Sequence, residues 1–272
     1  MTASGQAETT SGASAAPVLE CRAIERRFGG LVALTGVDLS IRRGEIFGLV
    51  GPNGSGKTTL TNAITGFYPP QSGKVLLQGQ DITGLAPHKV ARRGVARTFQ
   101  NLALFNGMTV LDNILLGRHV HMKPGVMRTA LYWFLARQEE TEHREVVEEI
   151  IRFMQLESVR MEMVDSIPIG LKKRVELARA LVAEPSFLIL DEPMAGMNQE
   201  EKEYMSRFVL DARDERGVTV LLIEHHMDVI VGICDRMLVL SYGEMIGTGI
   251  PSEVIADPRV IKAYLGTAHV AR

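Results

Sequence analysis

Residues 45–60 read EIFGLVGPNGSGKTTL, and this stretch decides the fold. An apolar run from Ile46 to Val50 enters a glycine-rich turn, and Lys57, Thr58 and Thr59 then open a helix-forming segment. The spacing Gly51-x4-Gly56-Lys57-Thr58 is that of a phosphate-binding loop. In such a loop, glycines let backbone N–H groups curl around phosphate oxygens, and the helix N-terminus adds partial positive charge. The candidate contacts are Gly51, Pro52, Asn53, Gly54, Ser55, Gly56, Lys57, Thr58 and Thr59. Lys57 can reach the β- and γ-phosphates, and the Thr58 hydroxyl can ligate Mg²⁺. At average residue usage the pattern arises in about one random chain of this length in a hundred. The alternative, a buried strand followed by an ordinary glycine turn, does not explain why strand, loop and helix come in the required order. The chain is expected to bind a nucleoside triphosphate.

Composition narrows the class further. The 272 residues are 46% apolar and 23% charged, as in a soluble globular protein with a substantial core. A net charge of −2 gives no basic field for nucleic acid. Two cysteines, Cys21 and Cys234, are too few for a disulfide framework and suit a reducing compartment. No apolar run approaches the ~18 residues of a membrane span. Residues 1–17 are rich in Ser, Thr, Ala and Gly and lack an apolar core or basic residues, so a disordered tail is expected. A cytoplasmic location follows.

Two further apolar runs end in polar side chains. FLILDEP (187–193) reads as a buried strand delivering Asp191 and Glu192. Beside a phosphate loop, such a strand presents an Asp to Mg²⁺, and the next carboxylate can orient or deprotonate water. Paired acids can also be helix caps. VTVLLI (218–223) ends in Glu224-His225-His226, which puts His225 where ligands bind in open α/β sheets. VARTFQ (95–100) reads as a third strand, ending at Gln100, which on spacing alone is a solvated loop residue. Phe28, just before Gly29-Gly30, can stack on a base or anchor a turn. His119-Val120-His121 reads as loop, and none of the remaining histidines has a metal-site context.

Residues from about 101 to 185 differ in character. Thr109 is a plausible cap, and Val146, Val147, Ile150, Ile151 and Met154 share one helical face. LKKRVELARALVAEP (171–185) is a strong helix former. A helical subdomain inserted between core segments 18–100 and 186–268 is expected. Within it, residues 124–138 hold the only tryptophan, Trp133, beside Tyr132 and Phe134. That segment reads equally as a core helix or as a docking surface.

Taken in order, these motifs resemble the ATP-binding cassette of ABC transporters over residues 18–268. The resemblance implies an α/β fold, with a P-loop (RecA-like) core, an inserted helical subdomain and an N-terminal antiparallel β part. It also implies roles: Phe28 stacks on adenine, Gln100 contacts Mg²⁺ and the membrane partner, and Asp191 holds Mg²⁺. Glu192 becomes the catalytic carboxylate and His225 the switch histidine on the γ-phosphate. Ala195, Gly196, Met197 and Asn198 occupy the D-loop. RRFGGLVAL, TGFYPPQSG, ARTFQNLALFNGMTVLDN, LLIEHHMDVI and AYLG are similar to the ATPase of branched-chain amino-acid importers, the LivG type. That implies MgATP as cofactor and a second cassette arranged head to tail, as a homo- or heterodimer. It further implies two membrane permease subunits, an extracytoplasmic solute-binding protein, and a peripheral position on the inner face of the cell membrane. The same machinery can carry urea, short amides or other small polar solutes. Soluble ABC ATPases of translation or DNA repair usually join two cassettes or carry a long coiled coil, and neither feature is found here.

One departure stands out. The family signature LSGGQ aligns with Ile167-Pro168-Ile169-Gly170-Leu171, of which only Gly170 is unchanged. The signature serine donates a hydroxyl to the γ-phosphate of the opposite subunit's ATP, and Pro168 has neither hydroxyl nor N–H. The Gly170 amide and the dipole of the following helix remain, with Lys172 nearby.

Overall fold

Three strands are buried at every position: β3 (Ile46–Val50), β7 (Phe187–Asp191) and β8 (Thr219–Ile223). Continuous apolar runs of this kind belong to parallel strands covered on both faces. In the computed structural model, which describes residues 16–100, 102–120 and 144–268, they form the centre of a six-stranded sheet. β6 (Val95–Arg97) flanks β7, while β9 (Arg236–Ser241) and β10 (Glu244–Gly249) lie beyond β3. The order is β10-β9-β3-β8-β7-β6; only the β9–β10 hairpin is antiparallel. From β3 the chain goes to the far edge, works back through β7 and β8, then crosses to β9. The carboxyl end of β3 is thus a switch point, where crevices open in such sheets.

Alternation survives within the buried strands. Phe47, Leu49, Phe187, Ile189, Leu221 and Ile223 face one core with α1 (Lys57–Thr65) and a second sheet. Ile46, Val50, Leu188, Leu190, Val220 and Leu222 face the other. Each such side chain contributes about 1.5–3 kcal/mol by leaving water. The second sheet is antiparallel, in the order β2-β1-β4-β5, from β1 (Pro17–Phe28), β2 (Leu31–Arg42), β4 (Ser72–Leu77) and β5 (Gln80–Asp81). Between the sheets' chain segments runs the short helix α2 (Pro87–Ala91). Gly48 is needed in β3 because a Cβ there would stand 3.2 Å from Ile230 and Met237 and 3.3 Å from the Cys234 sulfur.

The opposite core is roofed by helices. α3 (Val110–Leu116) starts at a capping box in which Thr109 and Asp112 exchange hydrogen bonds, as the Thr suggested. A helix at 144–153, here α4, buries Val147, Ile150 and Ile151, with Met154 just past its end, and leaves Val146 half-buried. α5 (Ile169–Leu181) starts two residues before the quoted Leu171, with Pro168 at its N-cap in extended backbone and no side-chain cap. α6 (Gln199–Arg216) opens on a second capping box, between Asn198 and Glu201. α7 (Met227–Ile233), α8 (Pro251–Val254) and α9 (Pro258–Ala268) complete the chain.

Two expectations need correction. β6 ends at Arg97, not Gln100. His119 and Val120 lie in a 3₁₀ turn, Gly117–Val120, and not in open loop. Residues 1–15 and the aromatic segment 124–138 lie outside the described residues. Among the described residues, no helix is long and apolar enough to cross a membrane.

Candidate active site

At the switch point, β3 runs out into the loop 51–56, and α1 carries the chain away. The loop is braced from behind by the β9–β10 turn, where the Gly243 amide donates to the Ser55 carbonyl at 2.9 Å. Lys57 folds back over it, its Nζ donating to the carbonyls of Gly51 (2.7 Å) and Pro52 (3.1 Å). Burial lowers the Lys57 amine below its ordinary pKa, and Glu192 and Asp191 oppose that shift. The loop fits a phosphate chain on its own terms. The Ser55 hydroxyl is buried with no hydrogen-bond partner, and the space beside Gly54 is open. A cleft of about 330 Å³ extends from the loop, bounded by Phe28, Leu31, Val32, Thr58, Thr59, Gln100, Asp191, Glu192 and Tyr242.

The sheet delivers the acids to this cleft. β7 ends in Asp191, whose backbone N–H donates to the Thr98 hydroxyl at 3.1 Å. Glu192 follows with φ +49°, a left-handed conformation disfavoured for a side chain before proline, here Pro193. Its amide still donates to the Ile223 carbonyl at 2.9 Å, so strand pairing holds the strained residue in place. The Glu192 carboxylate lies between two side chains from the segments that follow β6 and β8. Gln100 Nε2 donates to Oε2 at 3.1 Å, and His225 Nδ1 stands 4.0 Å from Oε1. Lys57, Gln100, Asp191, Glu192 and His225 therefore converge, although they come from four separate parts of the chain.

Phe28 is on the cleft rim, 40% exposed. Its edge meets Tyr68, with centroids 5.7 Å apart, and the Arg26 guanidinium lies 4.8 Å from its ring. One ring contact thus anchors the turn while part of the residue stays open to a ligand. The signature residues Pro168, Ile169, Gly170 and Leu171 lie elsewhere, at the start of α5. Lys172 is not free there, because its Nζ donates to the Asp165 carbonyl at 3.1 Å. A Cβ on Gly170 would fall 2.4 Å from Glu201 Oε1. The same Glu201 carboxylate accepts the Asn198 amide at 2.9 Å, so one side chain joins the signature to the end of the segment Ala195–Asn198.

Sequence reasoning overlooked several neighbours. Glu224, almost fully buried, accepts hydrogen bonds from the amides of Met194 (3.0 Å) and His225 (3.3 Å) and meets His226 Nδ1 at 3.0 Å. It ties the segment after Glu192 to the strand end bearing His225. Arg97 pairs with Asp191; a cation closing an apolar strand was the available signal. Burial raises the Tyr264 hydroxyl to about 12, opposed by the Gly51 backbone beside it, and nothing local in the sequence announced that neighbour. A larger cleft, about 420 Å³, lies between β6 and α5, with Arg97 in its wall. Glu176 on its wall accepts the Phe99 amide at 3.3 Å, and burial raises its carboxyl above the usual range.

A phosphate loop at the switch point of a parallel sheet, with an acidic pair ending a nearby strand, defines a P-loop nucleoside triphosphatase. Residues 34–195 match the family described as ABC transporter, and residues 244–270 match the branched-chain amino acid ATP-binding cassette transporter family. The chain is 38% identical over 252 residues to the high-affinity branched-chain amino acid transport ATP-binding protein BraF of Pseudomonas aeruginosa. It is equally similar to LivG of Escherichia coli K12; each alignment covers 93% of this chain and 99% of the relative. Among solved structures, a nucleotide-free ATP-binding cassette from an ABC transporter superposes with TM-score 0.79 at 32% identity, covering 91% of this chain and 98% of that one. A cassette in its ADP conformation gives 0.80 at 32%, covering 92% and 99%. This chain belongs to the ATP-binding cassette family of ABC transporters, and it is an ATPase.

Proposed function

We propose that the chain hydrolyses MgATP to power an importer of branched-chain amino acids. The observation that carries this reading is the 38% identity maintained over 99% of the length of relatives named for that transport. The match of residues 244–270 to the branched-chain family adds to it. In the head-to-tail assembly of the family, this cassette pairs with a second one beneath two permease subunits, which a solute-binding protein serves. The cassette itself then lies on the inner face of the membrane.

The side chains divide the work. Phe28 offers its open surface to adenine. Lys57 leaves the Gly51 and Pro52 carbonyls to bind phosphate, together with the loop amides from Asn53 to Thr59 and that of Gly51. Thr58, Asp191 and Gln100 would hold Mg²⁺, which neutralises charge on the phosphate oxygens. Glu192 orients the attacking water and takes its proton, and His225 steadies the γ-phosphate from the neighbouring strand. Pro168 to Leu171 and Ala195 to Asn198 face the partner cassette.

Lys57→Ala is expected to weaken ATP binding about 10–100-fold, because it removes a charged hydrogen bond worth about 1.5–3 kcal/mol. A titration with fluorescent nucleotide measures this, and unchanged affinity would remove Lys57 from the phosphate site. The function itself is tested by affinity purification from membranes followed by leucine uptake in a deletion strain. Two permease chains should co-purify and leucine uptake should fail without this chain. Recovery only in the soluble fraction, or loss of urea uptake with leucine uptake intact, would overturn the assignment.

A further inference from the structure

Arg97 is a guanidinium where an apolar residue would be expected. It closes β6, in register with Ile189 of β7, and its side chain is 8% exposed. Burying a cation is costly unless it is paired and hydrogen-bonded. Arg97 meets both conditions through its two terminal nitrogens, while its buried Nε has no hydrogen-bond partner. One terminal nitrogen donates to Asp191 Oδ2 at 2.8 Å, and the other donates to Asn62 Oδ1 at 2.7 Å. The guanidinium also lies 5.4 Å from the Phe99 ring centre. Asp191 is equally buried, at 8%.

The fork thus joins three elements. Asp191 ends β7, Arg97 ends β6, and Asn62 lies on α1, the helix that the phosphate loop launches. Asn62 is four residues beyond Thr58, hence one turn along the same helical face. We propose that Arg97 is a positioning residue for the metal: it holds one oxygen of Asp191, leaves the other for Mg²⁺, and fixes that carboxylate relative to Thr58 through Asn62. The inference rests on the assignment of Asp191 and Thr58 to the metal made above. Groups that orient a ligand from behind typically change metal affinity 10–100-fold when removed. Lysine cannot replace Arg97 here, because a point charge on a flexible stem lacks the fork that reaches both partners.

The test compares ADP affinity in Mg²⁺ with ADP affinity in EDTA, and the ratio of the two reports metal binding without turnover. Arg97→Met leaves a buried carboxylate without its partner, so its fold is checked by thermal melting. Arg97→Lys and Asn62→Ala keep the charge and carry the test if that variant does not fold. Each folded variant should lower the ratio, about tenfold for Arg97→Met and less for the other two, with metal-free affinity within about twofold of wild type. Mn²⁺ titration followed by electron paramagnetic resonance should weaken in the same order. An unchanged ratio in Arg97→Lys and Asn62→Ala overturns the proposal, and so does a raised one, which would make Arg97 a competitor of the metal. Asp191→Asn separates the two layers. If it abolishes the ratio while the Arg97 and Asn62 variants keep it, the Arg97 role alone falls. If it too leaves the ratio intact, the metal assignment fails and this inference fails with it.

Discussion

Glu192→Gln is expected to lower ATP turnover at least ~100-fold while ATP remains bound, the usual scale for losing a general base. The substitution keeps the volume and one acceptor oxygen but removes the charge that, in the proposed mechanism, aligns and deprotonates water. The site is arranged around that carboxylate. Gln100 holds one oxygen at 3.1 Å, and His225 stands 4.0 Å from the other. The φ of +49° before Pro193 shows that the backbone sustains strain to aim it. The Glu192 side chain itself is placed on the water and not on the adenine or the phosphate chain, so affinity should change little. The measurement is steady-state ATPase of the assembled transporter beside equilibrium nucleotide binding. Near-normal turnover would exclude Glu192 from the chemistry.

Gly51→Ala should cost about 2–6 kcal/mol of stability, combining left-handed backbone strain with an overpacked contact. At Gly51 φ is +153°, and an added Cβ would fall 2.2 Å from the Leu240 carbonyl oxygen. That oxygen belongs to strand β9 and cannot swing aside as a flexible side chain would. Gly54→Ala is the informative contrast. Its φ is +78°, but no atom lies within 4 Å of the added carbon, so only backbone strain of about 1–2 kcal/mol applies. The added methyl projects into space beside the loop, so its effect should fall on nucleotide affinity. Urea unfolding without nucleotide separates the two, since m-values should match while midpoints differ. Equal midpoints would mean that β9 does not press on the loop as described.

What the sequence made legible follows from which interactions are local. The phosphate loop, the buried strands and the cap at Thr109 depend on residues a few positions apart, and they could be read directly. The acids were recognisable because an apolar run ended in them. Their environment was not, because it depends on sheet order: Arg97 meets Asp191 only because β6 lies beside β7, 94 residues away. Glu224 reads as one more polar residue at a strand end until the Met194 amide is placed against it, 30 residues upstream. The early end of β6 has a similar origin. Past Arg97 the Thr98 N–H still pairs with the Ile189 carbonyl while its hydroxyl accepts the Asp191 amide, contacts that no propensity encodes. Phe28 was open between stacking and anchoring, and the contact with Tyr68 shows that its ring is anchored while part of it remains exposed.

The Glu201 joint has a genetic consequence. One carboxylate occupies the space that a side chain at position 170 would need and accepts the Asn198 amide, so the two segments share one neighbour although they lie 28 residues apart in the chain. Damage to either segment should therefore be felt by the other through Glu201. A side chain placed at position 170 would displace the Glu201 carboxylate and so loosen the Asn198 end of the segment 195–198. Chimeras that import one loop from a relative without the other would inherit a mismatched joint.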